Sequence, residues 1–233
     1  MEGAKLFYSI PNFQNPSGRS YSSSARNAVS KIISGSGCLL VEDDAYGELG
    51  LGGRPGRTIK SIAPEDTVLL GVLLQDHIPG DEGGVDGLPE WMRGAASRSI
   101  EASSLQSGSF AQRIIDDFLH NNDYDRYLSS LRRGYAEKKK AFSDAMEEHL
   151  PDAMEWNDPA GGVFIWLRSP EGTDAMKLFQ LALSKGLVTM PGRPFHISGG
   201  ENTIRLNFAT PDRDDIVKGM RVFGDACRRI YCP

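Results

Sequence analysis

Residues 38–49 read CLLVEDDAYGEL, a short apolar run that ends in acidic residues. A run of this length and composition is typical of a buried strand. Similar runs lie on either side of it, KLFYSI at 5–10 and TVLLGVLL at 67–74. Between the first two, residues 23–37 (SSARNAVSKIISGSG) have helical spacing and end in glycine. Strand, helix and strand at these lengths predict a parallel α/β sheet, in which ligands gather at the carboxyl ends of the strands.

The second half of the chain has a different pattern. Two amphipathic stretches predict helices at 109–121 and 124–150, of which the second is unusually long. Shorter units follow, with strands predicted at 161–167, 187–190 and 202–209 and helices predicted at 173–186 and 214–230. This mixture of short strands and helices is typical of a small α+β domain.

These patterns predict an α/β protein in three parts. We expect a large domain at 1–120, an interdomain helix at 121–150 and a small C-terminal α+β domain at 151–233. Three clear strands are few for a parallel sheet, which is normally buried on both faces. We therefore expect the large domain to be incomplete at its N-terminus.

The composition excludes several classes of function. The 233 residues are 39% hydrophobic and 24% charged, with a net charge of −5, which indicates a soluble globular protein and gives no reason to expect a nucleic-acid partner. Because no apolar run reaches membrane-spanning length and no signal-peptide pattern opens the chain, we expect no membrane partner and a cytoplasmic location. The three cysteines, Cys38, Cys227 and Cys232, match neither a metal motif nor a disulfide framework, so we expect no metal site.

Two loops that follow predicted strands carry candidate ligand-binding side chains. In PNFQNPSG (11–18), Asn15 can present its amide to a ligand, although Asn before Pro is also a common turn signal. In VEDDAYGEL (41–49), Asp43 can pair with the protonated nitrogen of a heteroaromatic ring while Tyr46 donates to a phenolic oxygen. A strand end with surface acids explains the second segment equally well.

Two later segments add an arginine and a pair of glycines. In NTIRLNFA (202–209), Arg205 lies in a strand of otherwise buried type, so it needs an anionic partner. That partner is either a substrate carboxylate or half of a structural ion pair. In DPAGGVFIWL (158–167), the glycines before the strand either permit the close approach of a ligand or form a simple turn.

Together and in this order, the four segments resemble the class I and II aminotransferases of fold type I, which use pyridoxal 5′-phosphate (PLP). The resemblance is to the 2-aminoadipate aminotransferase and regulator-like branch, and it runs from Leu6 to the C-terminus. It implies that Asn15 and Tyr46 bond the phenolic oxygen of PLP and that Asp43 keeps the pyridine nitrogen protonated. It also implies that Arg205 binds the substrate α-carboxylate.

The same resemblance implies an activity and a cofactor. The family transfers an amino group between an L-amino acid and a 2-oxo acid, in amino-acid or specialised metabolism. Its members work as homodimers whose active sites are shared between subunits. The fold it implies is an incomplete fold-type-I large domain followed by the small C-terminal domain.

The segment after the third strand departs from this family. There the family resembles G-S-F-S-K-T-x-x-P-G-x-R-x-G-W, in which the lysine forms the Schiff base and the first serine and the arginine hold the phosphate. In an alignment without gaps the serine falls on Val72, the lysine on Gln75 and the arginine on Glu82. A carboxylate at the arginine position repels a phosphate. We therefore expect this chain to lack the anchors of PLP and to be inactive as a transaminase.

A single shift of the reading frame would explain the loss of the serine, the lysine and the arginine together. In a frame shifted by one nucleotide, codons compatible with residues 71–85 can read G-S-F-S-K-T-I-F-P-G-M-R-V-G-W, with every family position in order. We therefore hypothesise that residues 72–98 are translated out of frame and that family-like sequence resumes at Ile100. The coding DNA tests this, because codons that cannot spell the lysine in the shifted frame exclude it.

Three other functions stay open. A shortened copy can act as a non-catalytic subunit, either as a homodimer or paired with a full-length paralogue. The same cofactor chemistry with a different leaving step serves a carbon–sulfur lyase. A PLP-independent enzyme can reuse the pocket with Asp43, Tyr46, His77 and Arg205 as acid–base groups, although an exposed loop residue also explains His77.

Overall fold

The structure is a computed structural model that describes residues 3–72, 84–104 and 108–231. The chain divides into two compact units. The first consists of Met1–Asn12, Ser20–Glu48 and Gly53–Ser129, and the second of Phe13–Arg19, Leu49–Gly52 and Ser130–Pro233. The division falls within the long helix, and the domain boundaries at 120 and 150 stay a prediction.

The first unit contains a four-stranded sheet. Its strands are β1 (Leu6–Ser9), β2 (Leu39–Asp43), β3 (Thr67–Val72) and β4 (Gly84–Gly87), in the spatial order β1-β2-β3-β4. The first three strands are parallel, whereas β4 is antiparallel to β3. The predicted parallel α/β sheet is confirmed.

Helix α1 (Ser23–Ile33) crosses between the first two strands and covers one face of the sheet. It begins where the Ser22 hydroxyl accepts the backbone N–H of Ala25 at 3.2 Å, which satisfies one of the free donors of the first turn. Its apolar side packs on a core made of Ile33, Cys38, Leu40 and Ile59. Burial of these side chains stabilises the strand–helix–strand arrangement.

Three further helices complete the described part of the first unit and lead into the second. They are α2 (Arg93–Ser104), α3 (Ser109–Asn121) and α4 (Tyr124–His149). The helices predicted at 109–121 and 124–150 are thus confirmed. Strand β4 and the first part of α2, up to residue 98, lie within the segment predicted to be out of frame, and neither element was expected.

The second unit is built on an antiparallel sheet. Its strands are β5 (Glu155–Trp156), β6 (Phe164–Arg168), β7 (Met190–Pro191) and β8 (Thr203–Asn207), in the order β5-β6-β8-β7. Two helices belong to it, α5 (Ala175–Leu183) and α6 (Arg213–Tyr231). The core between sheet and helices includes Ile165, Leu167, Leu178, Ile204, Phe208 and Phe223, each no more than 1% exposed.

The strand predicted at 187–190 is mostly wrong. Only Met190 of that range lies in β7. The backbone N–H of Leu187 instead bonds to the carbonyl of Ala182 at 3.0 Å, so the chain there completes the end of α5. None of the helices in the described residues is long and apolar enough to cross a membrane.

Candidate functional site

Asp43 closes β2 at the carboxyl end of the parallel sheet. One of its carboxylate oxygens accepts the hydroxyl of Tyr8, and the other accepts the backbone N–H of Ala45 at 3.2 Å. Both oxygens therefore have a donor, which fixes the direction in which the carboxylate points.

Tyr8 was not identified from the sequence. It pairs in register with Val41 on the neighbouring strand, so it shares a face of the sheet with Asp43, two residues further on. The pKa of Tyr8 is raised to about 12, first because the phenol is partly desolvated and then because of the hydrogen bond and the negative charge of Asp43. Tyr8 thus stays a neutral donor across the physiological range. The strand register is the signal that could have found it.

Tyr46 follows in the turn after β2 and is half-buried. It contributes, as the smallest cause, to the raised pKa of Tyr8, so it lies in the same neighbourhood. The first unit therefore brings together Asp43, Tyr46 and Tyr8.

A buried polar network holds the loop next to this group. Asn12 is fully buried; its amide oxygen accepts Arg26 and its amide nitrogen donates to Asp44. Arg54 pairs with the other oxygen of Asp44. Burial lowers the pKa of the Arg26 guanidinium and raises that of the Asp44 carboxyl. The network was not expected from the sequence, because only the fold shows that Arg26 is on the buried side of α1.

Arg205 lies in β8 of the second unit. Its Nη1 donates to Oδ1 of Asn15 at 2.8 Å. Its guanidinium carbon lies 4.4 Å from the centroid of the Phe164 ring and 5.4 Å from that of Phe195. The face of an aromatic ring stabilises a cation that lies over it, and the guanidinium presents its N–H donors as a planar fork. This arrangement suits the guanidinium for binding a planar carboxylate.

Asn15 reaches Arg205 from the loop at 13–19, which belongs to the second unit. Since its amide oxygen accepts Arg205, its amide nitrogen is the donor that it can present to a ligand oxygen. The structure thus brings Asn15 and Arg205 together in the second unit, whereas Asp43 and Tyr46 belong to the first.

The paired glycines before β6 pack against the protein itself. A Cβ on Gly161 would lie 2.6 Å from the carbonyl oxygen of Leu49 and 2.7 Å from Cα of Gly50. A Cβ on Gly162 would lie 2.6 Å from Cβ of Phe13, and Gly162 has a φ of +70°. The glycines therefore allow the close approach of neighbouring backbone and Phe13, and not the approach of a ligand that the sequence suggested.

The remaining predicted positions are those aligned with the family's phosphate-binding and Schiff-base residues, together with His77. Val72 is the last residue of β3, and its side chain carries no group that can bond a phosphate. Gln75, His77 and Glu82 lie outside the described residues. Within the described ranges, no three His, Cys, Asp or Glu side chains are placed to hold a metal ion.

The donor set fits one part of a PLP site and not another. The carboxylate of Asp43 suits a ring N–H⁺, the donors of Tyr46 and Asn15 suit a ring oxygen, and Arg205 suits a substrate carboxylate. Val72 offers nothing to the phosphate. The side-chain amide of Gln75, the residue aligned with the lysine, is not nucleophilic enough to form an imine. By their chemistry, Asp43 and Tyr46 of the first unit suit the cofactor ring and Arg205 of the second unit suits a substrate carboxylate, whereas none of the aligned anchor residues suits the covalent tether.

Comparison with known proteins identifies the family of the chain. A family model for aminotransferase class I and II matches residues 85–223. The 2-aminoadipate transaminase of Thermus thermophilus is 32% identical over 235 residues, which cover 98% of this chain and 59% of that protein. Aromatic-amino-acid aminotransferase 1 of Thermococcus litoralis is 31% identical over 222 residues, or 93% of this chain and 52% of that protein.

A solved structure extends the likeness to three dimensions. The alpha-aminoadipate aminotransferase LysN of Thermus thermophilus, crystallised with N-(5′-phosphopyridoxyl)-L-leucine, matches with a TM-score of 0.91 at 30% identity. The match covers 97% of this chain and 59% of that one. The chain thus spans little more than half the length of the relatives it matches. The family model already matches at residue 85, so family-like sequence resumes earlier than Ile100, where the sequence analysis placed it.

Proposed function

Because the chain belongs to the class I and II aminotransferases, we propose that its site derives from a PLP-dependent transaminase. The reaction is the transfer of an amino group between an L-amino acid and a 2-oxo acid, in amino-acid or specialised metabolism. We also propose that the chain as it stands does not carry out this reaction, because Gln75 replaces the amine that tethers the cofactor.

The observation that carries the proposal is the bond from Arg205 to Asn15 at 2.8 Å, with the guanidinium over Phe164. A guanidinium that is oriented in this way binds a carboxylate in a defined direction. Every α-amino acid and 2-oxo acid carries such a carboxylate, so the Arg205 guanidinium, held by Asn15, suits the whole substrate class. The relatives named for 2-aminoadipate and aromatic amino acids share this feature of their substrates.

The residues of the first unit suit the other side of the site. PLP, when it is bound, supplies an electron-accepting ring. Asp43 would hold a proton on the ring nitrogen, and Tyr8 would keep the Asp43 carboxylate in place by donating to one oxygen. Tyr46 and Asn15 would donate to the ring oxygen. None of these side chains can replace the proton-carrying lysine, since that role needs an amine next to the reacting carbon.

The covalent part of the proposal is tested with PLP and borohydride. The purified chain is incubated with PLP, reduced, digested and analysed by mass spectrometry, and amino-group transfer from L-amino acids to 2-oxoglutarate is assayed. We expect neither a defined lysine adduct nor turnover. The variant that combines Val72→Ser, Gln75→Lys and Glu82→Arg is expected to gain an adduct at position 75. Turnover by the unchanged chain, with an adduct on one of its own lysines, would overturn the proposal.

The role of Arg205 is tested separately with a ligand whose binding does not require a Schiff base to a lysine. N-(5′-phosphopyridoxyl)-L-leucine joins the cofactor and an amino acid in one molecule, and its binding is measured by calorimetry. Arg205→Lys keeps the charge but loses the planar fork, so we expect binding to weaken by roughly tenfold or more. Arg221→Lys, at an exposed position of α6, is the matched control. Equal binding by both variants would contradict the role of Arg205.

A further inference from the structure

Phe13 holds a backbone conformation that aromatic residues rarely adopt. Its φ is +46°, and among the described residues it is the one residue other than glycine with a positive φ. A strained residue persists only where its surroundings hold it in place, and such residues cluster at functional sites. The contacts that hold Phe13 therefore indicate what the loop at 13–19 has to position.

The turn before β6 packs against the Phe13 side chain, which is 2% exposed. A Cβ on Gly161 would lie 2.6 Å from Cζ of Phe13, and a Cβ on Gly162 would lie 2.6 Å from its Cβ. The two glycines thus leave the space that the phenylalanine occupies. This packing fixes the first residue of the loop.

Asn157 ties a later part of the loop to β6. Its Nδ2 donates to the backbone carbonyl of Ser17 at 2.7 Å, and its Oδ1 accepts the backbone N–H of Trp166 at 2.7 Å. Both groups of the side-chain amide are used in one bridge between loop and strand. The loop is also close to β6 at Gly18, where a Cβ would lie 2.7 Å from the carbonyl oxygen of Phe164.

Asn15 lies between these two attachments. Phe13 precedes it by two residues, and Ser17 follows it by two. The backbone N–H of Gly18 donates to the carbonyl of Gln14 at 2.6 Å, which closes the loop on itself. The place of Asn15 is therefore set from both ends of a short, closed loop.

The place of Asn15 affects the direction of the Arg205 guanidinium. Nη1 of Arg205 donates to Oδ1 of Asn15 at 2.8 Å, and the guanidinium carbon lies 4.4 Å from the centroid of the Phe164 ring. The attraction to the ring depends on distance, whereas a hydrogen bond also depends on angle. The bond to Asn15 is thus a contact that orients the N–H fork.

We propose that Asn157 is a positioning residue for the substrate carboxylate. By holding Ser17 on β6, and together with the packed Phe13, it places Asn15 where Asn15 orients Arg205. Asn157 acts through the loop and not on the substrate itself. The inference rests on the proposed function, in which Arg205 binds the carboxylate.

The test substitution is Asn157→Asp, which replaces the donor nitrogen with an oxygen of similar size. The acceptor for the Trp166 N–H is kept, whereas the contact with the Ser17 carbonyl becomes repulsive. Asn202→Asp is the matched control, because Nδ2 of Asn202 also donates to a backbone carbonyl, that of Ser169, at 2.7 Å and is equally half-buried. Asn157→Ala, which removes both bonds without adding a charge, replaces Asn157→Asp if that variant does not fold.

The first measurement needs no ligand. The NMR signal of the Arg205 guanidinium is identified by its loss in Arg205→Lys, and Asn15→Ala shows where it lies without the hydrogen bond. We expect Asn157→Asp to move the signal toward its position in Asn15→Ala, and Asn202→Asp to leave it at its native position. A native signal in the Asn157 variant, or an equal shift in the control, would overturn the proposal.

The second measurement is the affinity for N-(5′-phosphopyridoxyl)-L-leucine by calorimetry. Asn157→Asp is expected to weaken binding by roughly fivefold or more, and Asn202→Asp to leave it unchanged. In an Asn15→Ala background, Asn157→Asp should cause no further loss, because it acts through Asn15. An undiminished loss in that background also overturns the proposal. If the native chain does not bind the compound, the proposed function is contradicted, and the NMR comparison alone decides whether Asn157 places Asn15.

Discussion

Glu42 is a buried carboxylate next to the candidate site, in the middle of β2. It is 0% exposed, and its two oxygens accept the backbone N–H groups of Ile59 at 2.9 Å and Lys60 at 2.7 Å. Burial raises its pKa, and the two hydrogen bonds oppose this effect only in part. The residue thus joins β2 to the turn at 59–60 at the cost of placing a charge away from water.

The raised pKa predicts how the stability contribution of Glu42 depends on pH. The folded state binds the proton more tightly than the unfolded state, so stability falls as pH rises from the ordinary value of 4.5 through the folded pKa. Glu42→Gln removes this dependence. Relative to the native chain, we expect the variant to have its lowest free energy of unfolding at acidic pH. The difference between the two should shift in favour of the variant as pH rises.

Urea unfolding at several pH values measures this difference. Glu101→Gln, at an exposed position of α2, serves as the control and is expected to show no comparable trend. If the variant instead loses stability relative to the native chain as pH rises, the two hydrogen bonds to Glu42 outweigh its desolvation.

The sequence identified some of the side chains at the site and missed others. Asn15, Asp43, Tyr46 and Arg205 stood out because each occurs in a short motif after or within a strand, and their roles stay predictions. Tyr8 did not stand out, since its contact with Asp43 depends on the register of two strands that are 35 positions apart. Contacts of this kind come from the fold and have no local signal.

At the scale of elements, glycine shapes the turn that leads into β6. Gly161 forms a bridge to Gly50, and the space for its missing side chain is filled by backbone and by the Phe13 ring. Backbone cannot move aside as a flexible side chain can. The pair of glycines is therefore a packing requirement of the second unit.

A matched pair of alanine substitutions tests this requirement. Gly161→Ala is expected to destabilise the protein by about 1–3 kcal/mol, because the methyl group overpacks the contact. Gly134→Ala, in the exposed middle of α4 with nothing near its Cβ, is expected to stabilise by about 0.5–1 kcal/mol. Thermal unfolding measures both. A neutral Gly161→Ala would show that the turn relaxes around the methyl group.

Strand β4 could not be predicted because it has no strand-like pattern of its own. Strand β4 reads GVDG, and glycine and aspartate are poor strand formers. Its pairing with β3 decides its conformation, and pairing is not visible in a local pattern. The strands and helices that were predicted correctly have strong periodicity of their own.

At the scale of the molecule, the two units differ in how well they are covered. The sheet of the first unit leaves Leu6 and Tyr8 of β1 more than half exposed, whereas β6 and β8 of the second unit lie against a large apolar core. Local stability follows the amount of buried apolar surface. We expect the first unit to open more readily than the second.

Hydrogen exchange followed by mass spectrometry tests this expectation. Amides of Leu39–Asp43 are expected to exchange faster than amides of Phe164–Arg168 and Thr203–Asn207 under native conditions. Addition of low concentrations of urea should widen the difference, because the first unit then unfolds separately. Equal rates in both sheets would mean that the chain unfolds as one cooperative body.

The second unit joins segments that are far apart in the sequence, and this affects the order in which its contacts can form during synthesis. The loop at 13–19 belongs to this unit, yet Ser17 bonds to Asn157 and Asn15 bonds to Arg205, partners that follow 140 and 190 positions later. During translation the loop leaves the ribosome long before either partner exists. It therefore stays without these two hydrogen-bond partners while most of the chain is synthesised.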